Sequence, residues 1–316
     1  MLCPFCLTNL KGPVNLCASC DHKLPSDYVR YHSGLLARFR PPAIVSVVGF
    51  SGHGKTVYLA SLYYALQNVI PEAWDAFSRQ GLTFESLKVL HDNLDRLKRG
   101  NLPDPTPHVF PEPNIDRLYK IPRFGDRTLL IYDTQGEAFD LISEESFQRF
   151  AGFVRHSPCV LFLISLSDMT ERDGFEDTVG DKMHQLLERY NVGMSAMGVR
   201  VPFQHLIVVY TKADSLLSGF DIPGEIAKYL ESSEVDTLAD VGGYLQRMSH
   251  NSSLLRDFTR RKLKATVFLN NAKLHFKSSE FCAVSALGSN PTGLRLTERI
   301  APRRVIDPLL WVLEKS

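Results

Sequence analysis

The chain of 316 residues is 44% hydrophobic and 22% charged, the composition of a globular protein and not of a disordered one. With 36 Lys and Arg against 35 Asp and Glu, the net charge of +1 gives no electrostatic reason to expect nucleic acid or an anionic membrane as the main partner. The longest apolar stretch, Cys159 to Leu166, falls far short of the ~20 residues that span a bilayer. The opening Met-Leu-Cys-Pro-Phe-Cys has no basic region leading into an apolar core, so no signal peptide is read and a cytoplasmic protein is expected.

Four of the six cysteines lie in the first 20 residues, as Cys3-x2-Cys6 and Cys17-x2-Cys20. Two such knuckles in a reducing compartment predict one tetrahedral zinc on four thiolates, each knuckle turning two sulfurs towards an ion at about 2.3 Å. A segment of about 25 residues buries too little surface to fold alone, so the metal would supply its folding free energy. Two disulfides or a thioredoxin-like redox pair are the alternatives, disfavoured by the lack of a strand–helix context around either pair. Cys159 and Cys282 sit in apolar runs and read as inert core thiols. Residues 1–25 are therefore taken as a zinc-ribbon module, 26–42 as a linker ending in Arg40-Pro41-Pro42, and 43–316 as the main domain.

From Ala43 the texture changes. Ile44, Val45, Val47 and Val48 read as a buried parallel strand, and Val57, Leu59, Leu62 and Leu66 mark a helix beyond it. A second helix is expected from about Glu85 to Arg99, with Gly100 suited to its end. The proline-rich stretch from Asn101 to Pro107 is neither helix nor central strand, and residues 116–121 read as an edge strand turning at Gly125-Asp126. Further strands are expected at 129–132, 160–166, 206–210 and 281–284, alternating with helices, the last of which opens at an Asp307 cap followed by Pro308. This alternation predicts an α/β fold with a mostly parallel central sheet flanked by helices, carrying helical insertions at about 68–100 and 215–278.

The strand ending at Val48 runs straight into Gly49-Phe50-Ser51-Gly52-His53-Gly54-Lys55-Thr56 and then the helix that begins near Val57. Glycines in that pattern let successive amides point at a β-phosphate, and the helix N-terminus adds partial positive charge. Lys55 would bridge the β- and γ-phosphates while the Thr56 hydroxyl ligates magnesium. Asp133-x-x-Gly136 ends a buried strand: the carboxylate of Asp133 can reach magnesium through water, and the amide of Gly136 can sense the γ-phosphate. Thr211-Lys212-Ala213-Asp214 follows a later strand. A carboxylate at Asp214 accepts two hydrogen bonds from guanine N1–H and the exocyclic amine, which adenine cannot donate from that edge. The stem of Lys212 can lie across the base. Ser285-Ala286-Leu287 follows the last strand, where the amide of Ala286 can meet guanine O6. Four such segments in order, each at a strand's carboxyl end, point to a guanine nucleotide.

On these motifs the main domain, 43–316, resembles the P-loop GTPases of the Ras-like, translation-factor-related class. The zinc knuckles joined to Gly-Phe-Ser-Gly-His-Gly-Lys-Thr-Val-Tyr-Leu resemble bacterial proteins of the double-GTPase type. That resemblance implies GTP or GDP with magnesium as cofactors, a protein partner in the form of a neighbouring second GTPase, and a place in multi-protein defence systems. It also implies a switch I threonine over magnesium. Thr106, 27 residues before Asp133, is the candidate, with a simple turn threonine as the alternative and the long segment after Thr56 a departure from minimal members. Where Ras-like enzymes place a water-orienting glutamine this chain has Glu137, which when ionised cannot donate a hydrogen bond and adds negative charge near the transferring group. Gln135 is two residues out of place to substitute. Ser51 stands where Ras has the glycine that admits an arginine finger. Slow intrinsic hydrolysis is the expectation, alongside the alternatives of an inactive nucleotide-binding scaffold and a zinc-ribbon nucleic-acid-binding factor.

Two features remain open. His53 either touches phosphate or a partner, or is a variable loop residue. Arg256, Arg260, Arg261, Lys262, Lys264, Lys273 and Lys277 make 255–278 basic, which reads as a solvated helix face or a patch for an acidic partner, lipid or nucleic acid.

Overall fold

A computed structural model describes residues 1–34, 40–103, 112–133, 144–166, 178–199, 203–214, 224–232 and 234–316. Among these residues one seven-stranded sheet forms, with the order β2-β3-β4-β1-β5-β6-β7. The strands are β1 (Ala43–Val48), β2 (Ser78–Gly81), β3 (Asn114–Ile121), β4 (Gly125–Tyr132), β5 (Cys159–Ser165), β6 (His205–Thr211) and β7 (Ser278–Ala283). From β4 through β1, β5 and β6 to β7 every pairing is parallel, and at the other edge β3 alone runs against the rest, pairing antiparallel with both β2 and β4.

Residues of the central strands β1, β5 and β6 are buried on both faces, and their alternation sorts them into two cores. Ala43, Val45 and Val47 belong to one core and Ile44 and Val48 to the other; β5 divides in the same way, with all seven of its residues buried. The helices are α1 (Ser26–His32), α2 (Lys55–Asn68), α3 (Ile70–Ala73), α4 (Phe84–Lys98), α5 (Glu144–Ala151), α6 (Val179–Ala196), α7 (Gly224–Glu231), α8 (Glu234–Leu238), α9 (Val241–Arg261), α10 (Thr266–His275) and α11 (Asp307–Lys315). Helices α2, α3, α8 and α11 feed the core around Val45, while α5, α6 and α10 feed the core around Ile44. Helix α9 wraps the β7 edge, giving Tyr244 and Met248 to one core and Leu255 and Phe258 to the other.

Three local expectations change. The expected edge strand at 116–121 lies inside the sheet, because β2, within the segment read as a helical insertion, pairs outside it. Its sequence, Ser-Arg-Gln-Gly, has no apolar alternation to announce it. Residues 26–32, read as linker, form α1, whose Tyr28, Val29 and His32 are buried, and a ring nitrogen of His32 lies 2.8 Å from Thr128 Oγ1 on β4. Asp307 does not cap α11 from outside: Ile306 holds that place, and the carboxylate of Asp307 is buried between the hydroxyls of Tyr229 and Tyr244.

Candidate functional site

The loop Gly49–Thr56 leaves β1 at the centre of the sheet, where the strand order reverses and ligands of open α/β sheets bind. Two glycines are required there. Gly54, at φ +79°, begins α2 from the left-handed region, and a Cβ on Gly49 would lie 2.8 Å from the carbonyl oxygen of Leu163. Lys55 is buried, and its Nζ donates to the carbonyls of Gly49 and Phe50 at 2.8 Å each, which holds a positive charge in the mouth of the loop. Helix α2 has no acidic residue in its first turn, so the positive end of its dipole adds to that charge. Thr56 and Val57 are half-buried at the start of the helix, and Ser51 and Gly52 are exposed.

His53 is the residue that the sequence left open. Its ring is buried with Nδ1 2.8 Å from Leu163 O on β5, and its own carbonyl accepts a 3.0 Å hydrogen bond from Thr211 Oγ1. The side chain is thus built into the floor of the loop and joins it to the end of β6. Nothing local marks this, because its partners lie 110 and 158 residues away in the chain.

At the ends of β6 and β7 the segments Thr211–Asp214 and Ser285–Leu287 meet. Ser285 Oγ donates to Asp214 Oδ1 at 2.6 Å and accepts from the amide of Gly288 at 3.0 Å, so one carboxylate oxygen is oriented by the neighbouring motif. Lys212 stands at φ +56°, an uncommon backbone for a lysine and a form of strain that gathers at functional sites. Ala286 is half-buried, and Leu287 packs with Ala60 and Leu97 from α2 and α4. The loop that follows reaches across to residues 100–102: Leu102 N donates to Leu294 O at 3.0 Å and Leu296 N to Gly100 O at 2.8 Å. That pairing was not legible in the sequence.

Asp133 follows Tyr132 at the end of β4, which pairs with β1 through Ser46 and Tyr132, so the carboxylate lies one strand away from the loop. A magnesium ion fits the donor chemistry of Thr56 and Asp133, a hydroxyl in the first turn of α2 and a carboxylate just past the end of β4. Thr106, Gln135, Gly136 and Glu137 lie outside the described residues.

In the N-terminal module the Sγ atoms of Cys3, Cys6, Cys17 and Cys20 all lie within 4.8 Å of one another, with Cys3–Cys20 at 3.8 Å and Cys6–Cys17 at 3.6 Å. No pair is bridged. Four sulfurs about 2.3 Å from one tetrahedral ion stand about 3.8 Å apart, so the set fits a zinc-sized centre. The knuckles are near copies. Leu7 and Asp21, each just past the second cysteine, take φ +59° and +54°, and each donates its amide to the carbonyl of the first, Cys3 or Cys17. Burial pushes the Cys20 thiol up to about 11; at Cys17 burial is outweighed by the Ser19 amide and the other thiols, which hold it down at about 7. Anionic sulfur at that position is what a soft cation takes.

The basic 255–278 segment is partly committed. The Arg256 guanidinium stacks on Phe281 and donates to Ser279 O, and Arg260 faces Asp257 at 3.9 Å. No described helix is long and apolar enough to cross a membrane.

A sequence model of the Double-GTPase 2 family matches residues 43–260. Solved structures similar to the chain include the signal recognition particle receptor SRb-GTP/SRX complex from Chaetomium thermophilum, at 16% identity, covering 80% of this chain and 94% of that one, with a TM-score of 0.34. They also include the S. cerevisiae Ski7 GTPase-like domain bound to GDP and inorganic phosphate, at 16% identity over 86% of this chain and 50% of that one, TM-score 0.34. A third is Toc33 from Arabidopsis thaliana in complex with GDP and Mg2+, at 15% identity over 92% of each chain, TM-score 0.33. Likenesses this distant say nothing about activity. No curated protein matches the sequence.

Proposed function

The chain belongs to the Double-GTPase 2 family, and on that premise we propose that it is a slow guanine-nucleotide switch whose bound state controls a partner protein. The observation that carries this reading is the convergence of the Gly49–Thr56 loop, Asp133, Thr211–Asp214 and Ser285–Leu287 at the carboxyl ends of neighbouring strands. The loop amides and Lys55 take the phosphate tail. Asp214, oriented by Ser285, accepts from the guanine edge, and the stem of Lys212 covers the base. Thr56 and Asp133 hold magnesium, with Thr106 closing from switch I. Magnesium, when bound, neutralises charge on the β- and γ-oxygens.

Hydrolysis is slow because Glu137 cannot donate to the γ-phosphate and Ser51 narrows the approach of an arginine finger; a partner, a second GTPase in this reading, supplies what is missing, which can be worth ~10³–10⁵ in rate. Changes at the segments holding Thr106 and Gly136 transmit the nucleotide state. The four cysteines hold zinc, and the ribbon docks the chain to that partner in the cytoplasm.

Affinity for GTP, GDP and ATP with and without magnesium tests the reading. Guanine preference and magnesium-dependent phosphate release that Lys55→Ala abolishes are expected. Preference for adenine, or binding of neither, overturns it; guanine binding without phosphate release at any enzyme concentration reduces the chain to a nucleotide-binding scaffold.

A further inference from the structure

The four-cysteine module touches the strand that ends at Asp133. Tyr132, the residue before Asp133, is fully buried, and its hydroxyl donates a 2.6 Å hydrogen bond to the carbonyl of Pro4, which lies between Cys3 and Cys6. The ring of Tyr132 stacks on Phe153, with centroids 4.6 Å apart and planes at 10°. A second tyrosine, Tyr28 of α1, donates to Leu2 O at 2.8 Å, and Leu7 enters the same core as both tyrosines. Beside these joints the contact is not filled: a cavity of about 430 Å³ opens between Phe5, Cys6 and Leu7 on the module and Phe153, Arg155 and Met197 on the domain.

We propose that the module is a metal-dependent clamp on the end of β4, with Tyr132 as the positioning residue, so that metal at the four cysteines strengthens magnesium-dependent binding of the guanine nucleotide. The proposal rests on the nucleotide reading above. The module's own buried cluster is small, Cys3, Cys17 and Leu24 joined by Val29 of α1. Ligation, and not a core of its own, therefore sets the Cys3–Cys6 turn and the direction of the Pro4 carbonyl. Without the metal the turn loosens and the Tyr132 hydroxyl loses its acceptor in a buried place, where an unmet donor is costly. Tyr132 then shifts to find another partner. The open cavity gives the module room to move, whereas the stack on Phe153 ties any shift of Tyr132 to the adjoining Asp133. Coupling of this kind is reciprocal: whatever metal does for the nucleotide, magnesium–nucleotide does for the metal.

The test uses the full chain loaded with zinc, its metal content measured, and a fluorescent GTP analogue titrated with and without magnesium. Tyr132→Phe keeps the ring and the stack and removes only the hydroxyl. It is expected to weaken binding about fivefold in magnesium, the low end of typical couplings, and to leave magnesium-free binding unchanged. Cys17→Ser is expected to do the same, and the double variant to be no weaker than Cys17→Ser alone. In wild type, zinc affinity read by competition with a chromophoric chelator should rise about fivefold when magnesium–GTP saturates the site, and this rise should vanish in Tyr132→Phe. That pair of measurements stands even where Cys17→Ser fails to fold. Wild-type binding with full magnesium dependence that Tyr132→Phe leaves untouched overturns the clamp alone, as do losses that multiply in the double variant. A zinc-loaded wild type that binds no guanine nucleotide overturns the underlying nucleotide reading, and the clamp with it.

Discussion

At His53, Asp214 and Lys55 single side chains do work that residue type alone does not reveal. The ring of His53 is a strut from the Gly49–Thr56 loop to β5. His53→Ala would leave Leu163 O without that partner and should cost ~1–3 kcal/mol, read as a lower urea midpoint at unchanged slope. A role at the phosphates would instead leave stability alone and abolish nucleotide binding. Asp214 offers the complementary case: Asp214→Asn should weaken GTP by roughly 100-fold and favour xanthine nucleotides, measured by competition, because the amide presents a donor where guanine also donates. Spacing alone singles out Lys55, which is buried against two carbonyls of its loop, whereas nothing in the spacing marks the inward turn of His53, since the carbonyl it meets belongs to another strand.

Elements with strong apolar alternation or unbroken apolar runs were legible, and the polar ones were not. Strand β5 is wholly buried and its sequence says so; β2 is four residues of an edge, held less by pattern than by one buried ion pair. Arg79 reaches Asp116 on β3 at 2.7 Å, and the hydroxyl of Tyr63 from α2 donates to the other carboxylate oxygen at 2.7 Å. Burial pushes the Asp116 carboxyl above its ordinary range, and Arg79 opposes the shift. Arg79→Met should therefore strand a buried carboxylate and cost ~3–5 kcal/mol, while adding Asp116→Leu should return part of that loss. Additive losses in equilibrium unfolding of the two singles and the double would refute this account of the edge.

Over the whole molecule, α11 returns the end of the chain to the sheet, and a buried polar knot fixes it there. Arg304, fully buried, lies over the ring of Tyr229 and donates to its carbonyl and to Tyr244, and both tyrosines donate to Asp307. Glu234 sits in the same knot with neither carboxyl oxygen hydrogen-bonded among the described residues. Burial, with Asp307 nearby, pushes it up to about 8 from 4.5. An acid raised in the folded state is protonated there first, so its share of the stability is complete below about pH 4.5 and is lost as the pH climbs to about 8. Thermal midpoints should fall across that window and level off above it, and Glu234→Gln should flatten the slope. A slope unchanged in the variant would remove Glu234 from the explanation.

The sequence by itself determined the α/β class with its mostly parallel sheet, the turn of Gly49–Thr56 between a strand and a helix, the segments Thr211–Asp214 and Ser285–Leu287 after their strands, and the four-cysteine cluster. Each of these is a short run in which local backbone geometry demands particular residue types, and so each survives reading without the fold. Only the tertiary structure decided that Ser285 orients Asp214, that His53 braces the loop on β5, and that Pro4 meets Tyr132, contacts 71, 110 and 128 residues apart. They depend on which strands lie side by side and on where the N-terminal module packs, and hydrophobic periodicity, which reports burial, carries no record of which buried surface meets which.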